Sequence, residues 1–103
     1  MPTMIVLVNL KDNVAQEEYE RWLHERYVPA VLDLPSVDEW RGHRVNKQPA
    51  GRDAEAPYGY IVSVEVNDLE QLGRDMESER VQALLGELGR YAEVTQLMTE
   101  RFI

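Results

Sequence analysis

Residues 58–66 read YGYIVSVEV, and their alternation decides the fold. Successive side chains of a strand point to opposite faces. Tyr58, Tyr60, Val62, Val64 and Val66 therefore make one apolar face, and Gly59, Ile61, Ser63 and Glu65 make a mixed one. Upstream, Lys47 to Pro57 holds prolines, a glycine and charged residues without periodicity, which predicts a loop. Before the loop, Ser36 to Asn46 alternates, with Val37, Glu39, Arg41, His43 and Val45 on one side and Trp40, Gly42 and Arg44 on the other. Neither side is purely apolar, which argues for an edge strand or for one whose two faces both meet something polar, joined to residues 58–66 as a hairpin.

Further out on the N-terminal side, Met4 to Leu10 is a β-branched, nearly continuous apolar run that predicts a buried central strand. From Ala15 to about Leu32, Tyr19, Trp22, Leu23, Tyr27, Ala30 and Val31 recur at helical steps, with Glu17, Glu18, Glu20, Arg21 and Glu25 on the solvent face. Asp12 or Asn13 is the expected N-cap and Pro35 the stop. On the C-terminal side, Asp68 can cap a helix carrying Leu69, Leu72, Met76, Val81, Leu84, Leu85 and Leu88. That helix is expected to break near Glu77 and Ser78 and to end at Gly86 and Gly89. Tyr91 to Ile103 then predicts a long last strand with Val94, Met98 and Phe102 on one side.

The order is β-α-β-β-α-β. Right-handed crossovers put both helical regions on one face of an antiparallel four-stranded sheet, a ferredoxin-like α+β fold. The other face is left bare. Expected to carry the tyrosines and valines, it is too apolar for water, and a second copy of the chain is the expected cover.

A chain of 103 residues fits one domain over residues 1–103. The opening MPTMIVLVNLK has no basic flank and no small-residue cleavage site, so it is read as a strand and not as a signal peptide. No run approaches the roughly 18 apolar residues of a membrane span, and cysteine is absent, which removes thiolate chemistry and makes the cytoplasm the default compartment. A net charge of −8, with the basic residues scattered, opposes binding to nucleic acid. The sequence contains no GxGxxG, P-loop, GxSxG, HExxH or EF-hand pattern, so no cofactor is expected.

Four stretches carry a resemblance to a known superfamily: MIVLVNL (4–10), EEYERWLHERYVPAVLDLPSV (17–37), GYIVSVEV (59–66) and DMESERVQALLGELGRYAEV (75–94). With these, the chain resembles the dimeric α+β barrel proteins over essentially its whole length. Within them it looks most like the RedY/HapK-type proteins associated with prodiginine and related pyrrole or carbazole pigment pathways, with EthD-like proteins second. EthD-like sequences commonly place a histidine two residues before the helix-end proline; here Tyr27 holds that position and His24 lies one turn earlier.

The candidate catalytic residues are His24 and His43, whose ordinary pKa lies near neutrality. Taken alone, each reads first as a surface or structural residue. Without a third ligand they do not make a metal site, and no metal is expected. Trp22, Tyr27, Trp40 and Tyr60, with Tyr19 and Tyr58, can line a site for a flat aromatic ligand or simply form an aromatic core. Asn9, an amide in an apolar strand, needs partners and can orient a ligand carbonyl or mark the strand end. Arg41 and Arg44 point to opposite faces, so at most one enters a given cavity; Arg41 is kept as a substrate-binding candidate, and one of the two is expected to meet acidic neighbours across a dimer.

The resemblance implies a cofactor-free cyclisation or condensation of an apolar, conjugated substrate, with His24 or His43 moving a proton and Tyr27 or Asn9 holding a polar group. The rival expectations are a non-catalytic ligand-binding or stress-associated dimer and a cofactor-free oxygenase of the same superfamily.

Overall fold

The computed structural model describes residues 2–46 and 56–103. Strand β1 (Thr3–Leu10) leads into α1 (Gln16–Trp22), a π-helical turn (Leu23–Tyr27) and α2 (Val28–Leu32). Strands β2 (Val37–Arg44) and β3 (Tyr60–Val66) follow, then α3 (Leu69–Glu77), α4 (Glu79–Tyr91) and β4 (Ala92–Thr99). The sheet order is β2-β3-β1-β4, and every neighbouring pair is antiparallel. This is the ferredoxin-like α+β arrangement expected from the sequence, with β2 at an edge. Most of the loop expected over Lys47 to Pro57 lies outside the described residues.

One sheet face is buried under the helices. Register places Met4, Val6 and Val8 beside Val64, Val62 and Tyr60, and these meet Tyr19, Trp22 and Leu23 from α1 and the π-helical turn, Leu72 from α3 and Leu88 from α4. Fully burying one such apolar side chain contributes about 1.5–3 kcal/mol. Asp75 ties α3 to the start of β2: it is buried and accepts hydrogen bonds from Ser36 Oγ at 2.5 Å, Ser36 N at 3.3 Å and Gln71 Nε2 at 2.8 Å.

Several local expectations need correction. The first helix begins at Gln16 with Ala15 as N-cap and no side-chain cap, because Asp12 and Asn13 are used up in a turn closed by Val14 N–H to Lys11 O at 3.2 Å, where Asn13 takes a left-handed φ of 69°. Asp68 and Ser78 do cap α3 and α4, so the break near Glu77 is real. Gly86 and Gly89 do not end a helix, however: α4 runs through both to Tyr91. A glycine costs roughly 1 kcal/mol against alanine in a helix interior, and the buried Val81, Leu84 and Leu88 outweigh that cost. Strand β4 stops at Thr99, leaving Phe102 and Ile103 90 % and 86 % exposed.

The two sides of β2 also differ from simple alternation. A register shift between Val37 and Glu39 puts Val37 (opposite Val66) on the same face as Trp40 (opposite Val64). Beyond this bulge, Trp40, Gly42 and Arg44 face the helices, and Glu39, Arg41 and His43 take the other side. The tyrosines and valines of β3 belong to the covered face. The bare face instead carries Ile5 and Leu7 from β1, Ile61 from β3 and Leu97 from β4, rimmed by Thr3, Ser63, Glu65, Arg41 and His43. Among the described residues no helix is long and apolar enough to cross a membrane.

Candidate functional site

A pocket of about 430 Å³ opens between the first helix and the edge of the sheet. Tyr19, Glu20, Leu23, His24 and Val28 form its helical wall; Trp40, Gly42, His43 and Arg44 of β2 and Tyr60 and Val62 of β3 form the other. His24 is presented by the π-helical turn, in which Val28 N–H reaches back five residues to Leu23 O. Pro29 follows directly. A proline inside a helix has no N–H to give and its ring clashes with the carbonyl four residues earlier, so the widened turn lets the helix pass through it. Such π-bulges recur at functional sites.

The polar centre of the pocket is a three-residue network. Arg44 grips the Glu20 carboxylate at both oxygens, with Nε donating to Oε2 at 2.8 Å and Nη2 donating to Oε1. Tyr60 donates its hydroxyl to Glu20 Oε2 at 2.8 Å. The Arg44 hydrogen bond, then that of Tyr60, brings the Glu20 carboxyl down to about 2, and His24 one turn away adds a smaller electrostatic pull in the same direction. Burial, followed by the Glu20 hydrogen bond, pushes the Tyr60 hydroxyl up to about 12, so it stays protonated and remains a donor. The pocket thus holds a neutralised ion pair beside aromatic and aliphatic walls.

Of the residues expected from the sequence, His24, His43, Trp40 and Tyr60 line this pocket. Alternation along β2 gives the His43 side chain to the opposite sheet face, beside Ile61, so it borders the pocket by its place in the edge strand. Trp22 and Tyr27 do not line it. Trp22 is buried in an aromatic stack, with ring centroids 4.9 Å from Tyr91, 5.1 Å from Tyr27 and 6.3 Å from Tyr19, and its indole N–H donates to Glu87 Oε1 at 3.3 Å. The Tyr27 hydroxyl is raised by burial. Asn9 is committed elsewhere: Nδ2 donates to Pro57 O at 2.8 Å and Oδ1 accepts from Gly59 N at 3.0 Å, which fixes the start of β3. Arg41 pairs with Glu39 at 2.7 Å on the bare face.

Glu20 is not among the site residues expected from the sequence, and of the two arginines weighed there it is Arg44, not Arg41, that enters the pocket. Helical periodicity gives Glu20 to solvent, although its spacing of four before His24 puts both on one helix face. Arg44 shares the period of Trp40, which was the available signal. Among the described residues there is no cluster of three or more histidine, aspartate or glutamate side chains fit to hold a metal.

A family model described as REDY-like protein HapK matches residues 2–102. The crystal structure of HapK from Hahella chejuensis is similar at a TM-score of 0.81 and 30% identity, covering 99% of this chain and 93% of that one. An ethyl tert-butyl ether d (EthD) family protein from Bacillus halodurans is similar at 0.76 and 13% identity, covering 99% and 100%. SnoaB, a cofactor-independent oxygenase from Streptomyces nogalater, is similar at 0.76 and 13% identity, covering 99% and 93%. These last two likenesses show the fold. No curated protein sequence matches the chain.

Proposed function

The chain belongs to the family of the REDY-like protein HapK, and from that membership and the chemistry of the pocket we propose a small, cofactor-free enzyme that cyclises or condenses an apolar, conjugated substrate. One observation carries the reading: His24 shares an aromatic-walled pocket of about 430 Å³ with the Glu20–Arg44–Tyr60 network. In this reading His24 accepts or returns a proton. Glu20 takes two of the guanidinium N–H groups of Arg44, and the others are available to an oxygen that gains charge in the reaction. Trp40 and Tyr19 hold the flat part of the substrate. Holding a reactive substrate in one geometry away from water supplies much of such catalysis.

The working unit is a homodimer joined through the face carrying Ile5, Leu7, Ile61 and Leu97. Mass spectrometry of small molecules retained by the purified protein tests the reading. A planar conjugated compound retained by wild type, released by Trp40→Ala and converted only when His24 is intact is the expected result. Oxygen consumed in step with conversion would move the assignment to cofactor-free oxygenase chemistry.

A second reading, a non-catalytic ligand-binding dimer, draws on the exposure of both histidines and on the place of His43 on the far sheet face. Ligand retention without conversion by any variant or by wild type is the outcome it requires.

A further inference from the structure

Beneath the outer pocket lies a second, apolar void of about 40 Å³ between the helices and the sheet, bordered by Val31, Val64, Met76 and Leu85 among others. Its lining is distinct from that of the outer pocket except at one residue. Trp40 borders both. The indole is therefore the partition between the two spaces, and it is only half-buried.

The pose of that partition depends on Gly42. A Cβ placed on Gly42 would stand 2.7 Å from Trp40 Cζ3 and 2.8 Å from Cη2, closer than any real Cβ approaches a neighbour. The far edge of the ring thus rests in the space that any other residue at 42 would fill. Gly42 is on the same sheet face as Trp40, two residues along an edge strand. The ring lies along the strand over a bare backbone, and it can leave that pose by rotating its side chain without moving a core strand.

We infer that the void beneath Trp40 is a second compartment of the binding site, which takes the short apolar tail of a ligand whose aromatic head occupies the outer pocket, and that Trp40, seated on Gly42, sets the length of that tail. This rests on the outer pocket being the ligand site. A space of about 40 Å³ is too small for a second ring, and apart from Trp40, Tyr27 and Gln96 its lining is valine, leucine and methionine, which selects an unbranched hydrocarbon chain over a polar substituent. Tails longer than the void require the indole to swing aside.

The test is calorimetric titration with a homologous series of 4-alkylphenols, from ethyl to octyl. For wild type, affinity should rise about fourfold per buried methylene for the first added carbons and then level off. In Trp40→Ala the two spaces merge and the rise should continue for at least two further carbons. In Val31→Phe the void is filled, so the plateau should come earlier and 4-ethylphenol, with the shortest tail, should lose the least affinity of the series. Should Trp40→Ala fail to fold, Val31→Phe alone decides. A plateau at the same chain length in all the proteins, whatever loss of affinity Trp40→Ala brings to every homologue alike, overturns the inference and leaves the outer-pocket reading standing. If 4-ethylphenol does not bind wild type at all, that reading falls and the inference with it.

Discussion

Arg44, at the end of β2, closes the Nε and Nη2 side of its guanidinium on Glu20 of α1, and in doing so clasps the edge strand to the first helix across the pocket. A lone exposed ion pair is worth little, with typical values of about 0–1 kcal/mol. This one is bidentate and shares its carboxylate with the Tyr60 hydroxyl, so removing one member changes the state of the other two.

Acid should reveal that coupling. The Glu20 carboxyl is lowered from the ordinary 4.5 to about 2 in the folded protein, first by Arg44 and then by Tyr60. The unfolded chain binds the proton first on acidification. The stabilisation from this group is therefore complete above about pH 4.5 and is lost as pH falls towards 2. The difference in unfolding free energy between wild type and Glu20→Gln, followed by urea titration, should be constant near neutrality and shrink through that window. A difference that stays flat down to pH 2 would show that the clasp does not hold in solution.

His24→Gln should leave the fold intact, since His24 is exposed, and lower turnover of a retained substrate by about 10²- to 10⁴-fold. His43→Gln should keep most of the turnover, because alternation assigns its side chain to the opposite sheet face. Equal turnover in wild type and His24→Gln would remove the proton-transfer role.

The two tryptophans should separate core from pocket. Trp22 is 9 % exposed and stacked among three tyrosines. Trp22→Ala should cost roughly 3–5 kcal/mol in a denaturant titration, as large aromatic truncations in cores do. Trp40→Ala should cost clearly less, because that ring borders space on two sides. Similar losses for both would mean that Trp40 is core.

Association should depend on the bare sheet face. Light scattering is expected to give a dimer at micromolar concentration, and Leu97→Asp, at a position 45 % exposed in the single chain, should shift it towards monomer without unfolding it. Removing Phe102 and Ile103, which lie beyond β4, should weaken association before it affects thermal stability. A wild-type monomer under these conditions would rule out the dimer.

Chelation should leave the melting temperature unchanged, because the sequence has no cysteine and the described residues offer no three-ligand cluster. A drop of many degrees would reveal a bound structural ion, since such an ion stabilises with the logarithm of its concentration over its dissociation constant.

The sequence by itself determined the architecture. Alternation in YIVSVEV (60–66), the helical spacing of Tyr19, Trp22 and Leu23, and the Asp68 cap are local signals written into side-chain chemistry and period, and they sufficed for the order of elements, whereas packing decided that the helices cover the tyrosine and valine face of β3. Only the tertiary structure decided the site. Glu20 and Arg44 are 24 residues apart and meet because β2 folds back beside α1. A bulge after Val37 reassigned one face of β2, and burial sent Trp22 to the core while leaving Trp40 at the pocket. Period reports which residues share a face. Which of them face each other across empty space depends on register and packing between elements far apart in the chain, and no single segment encodes that.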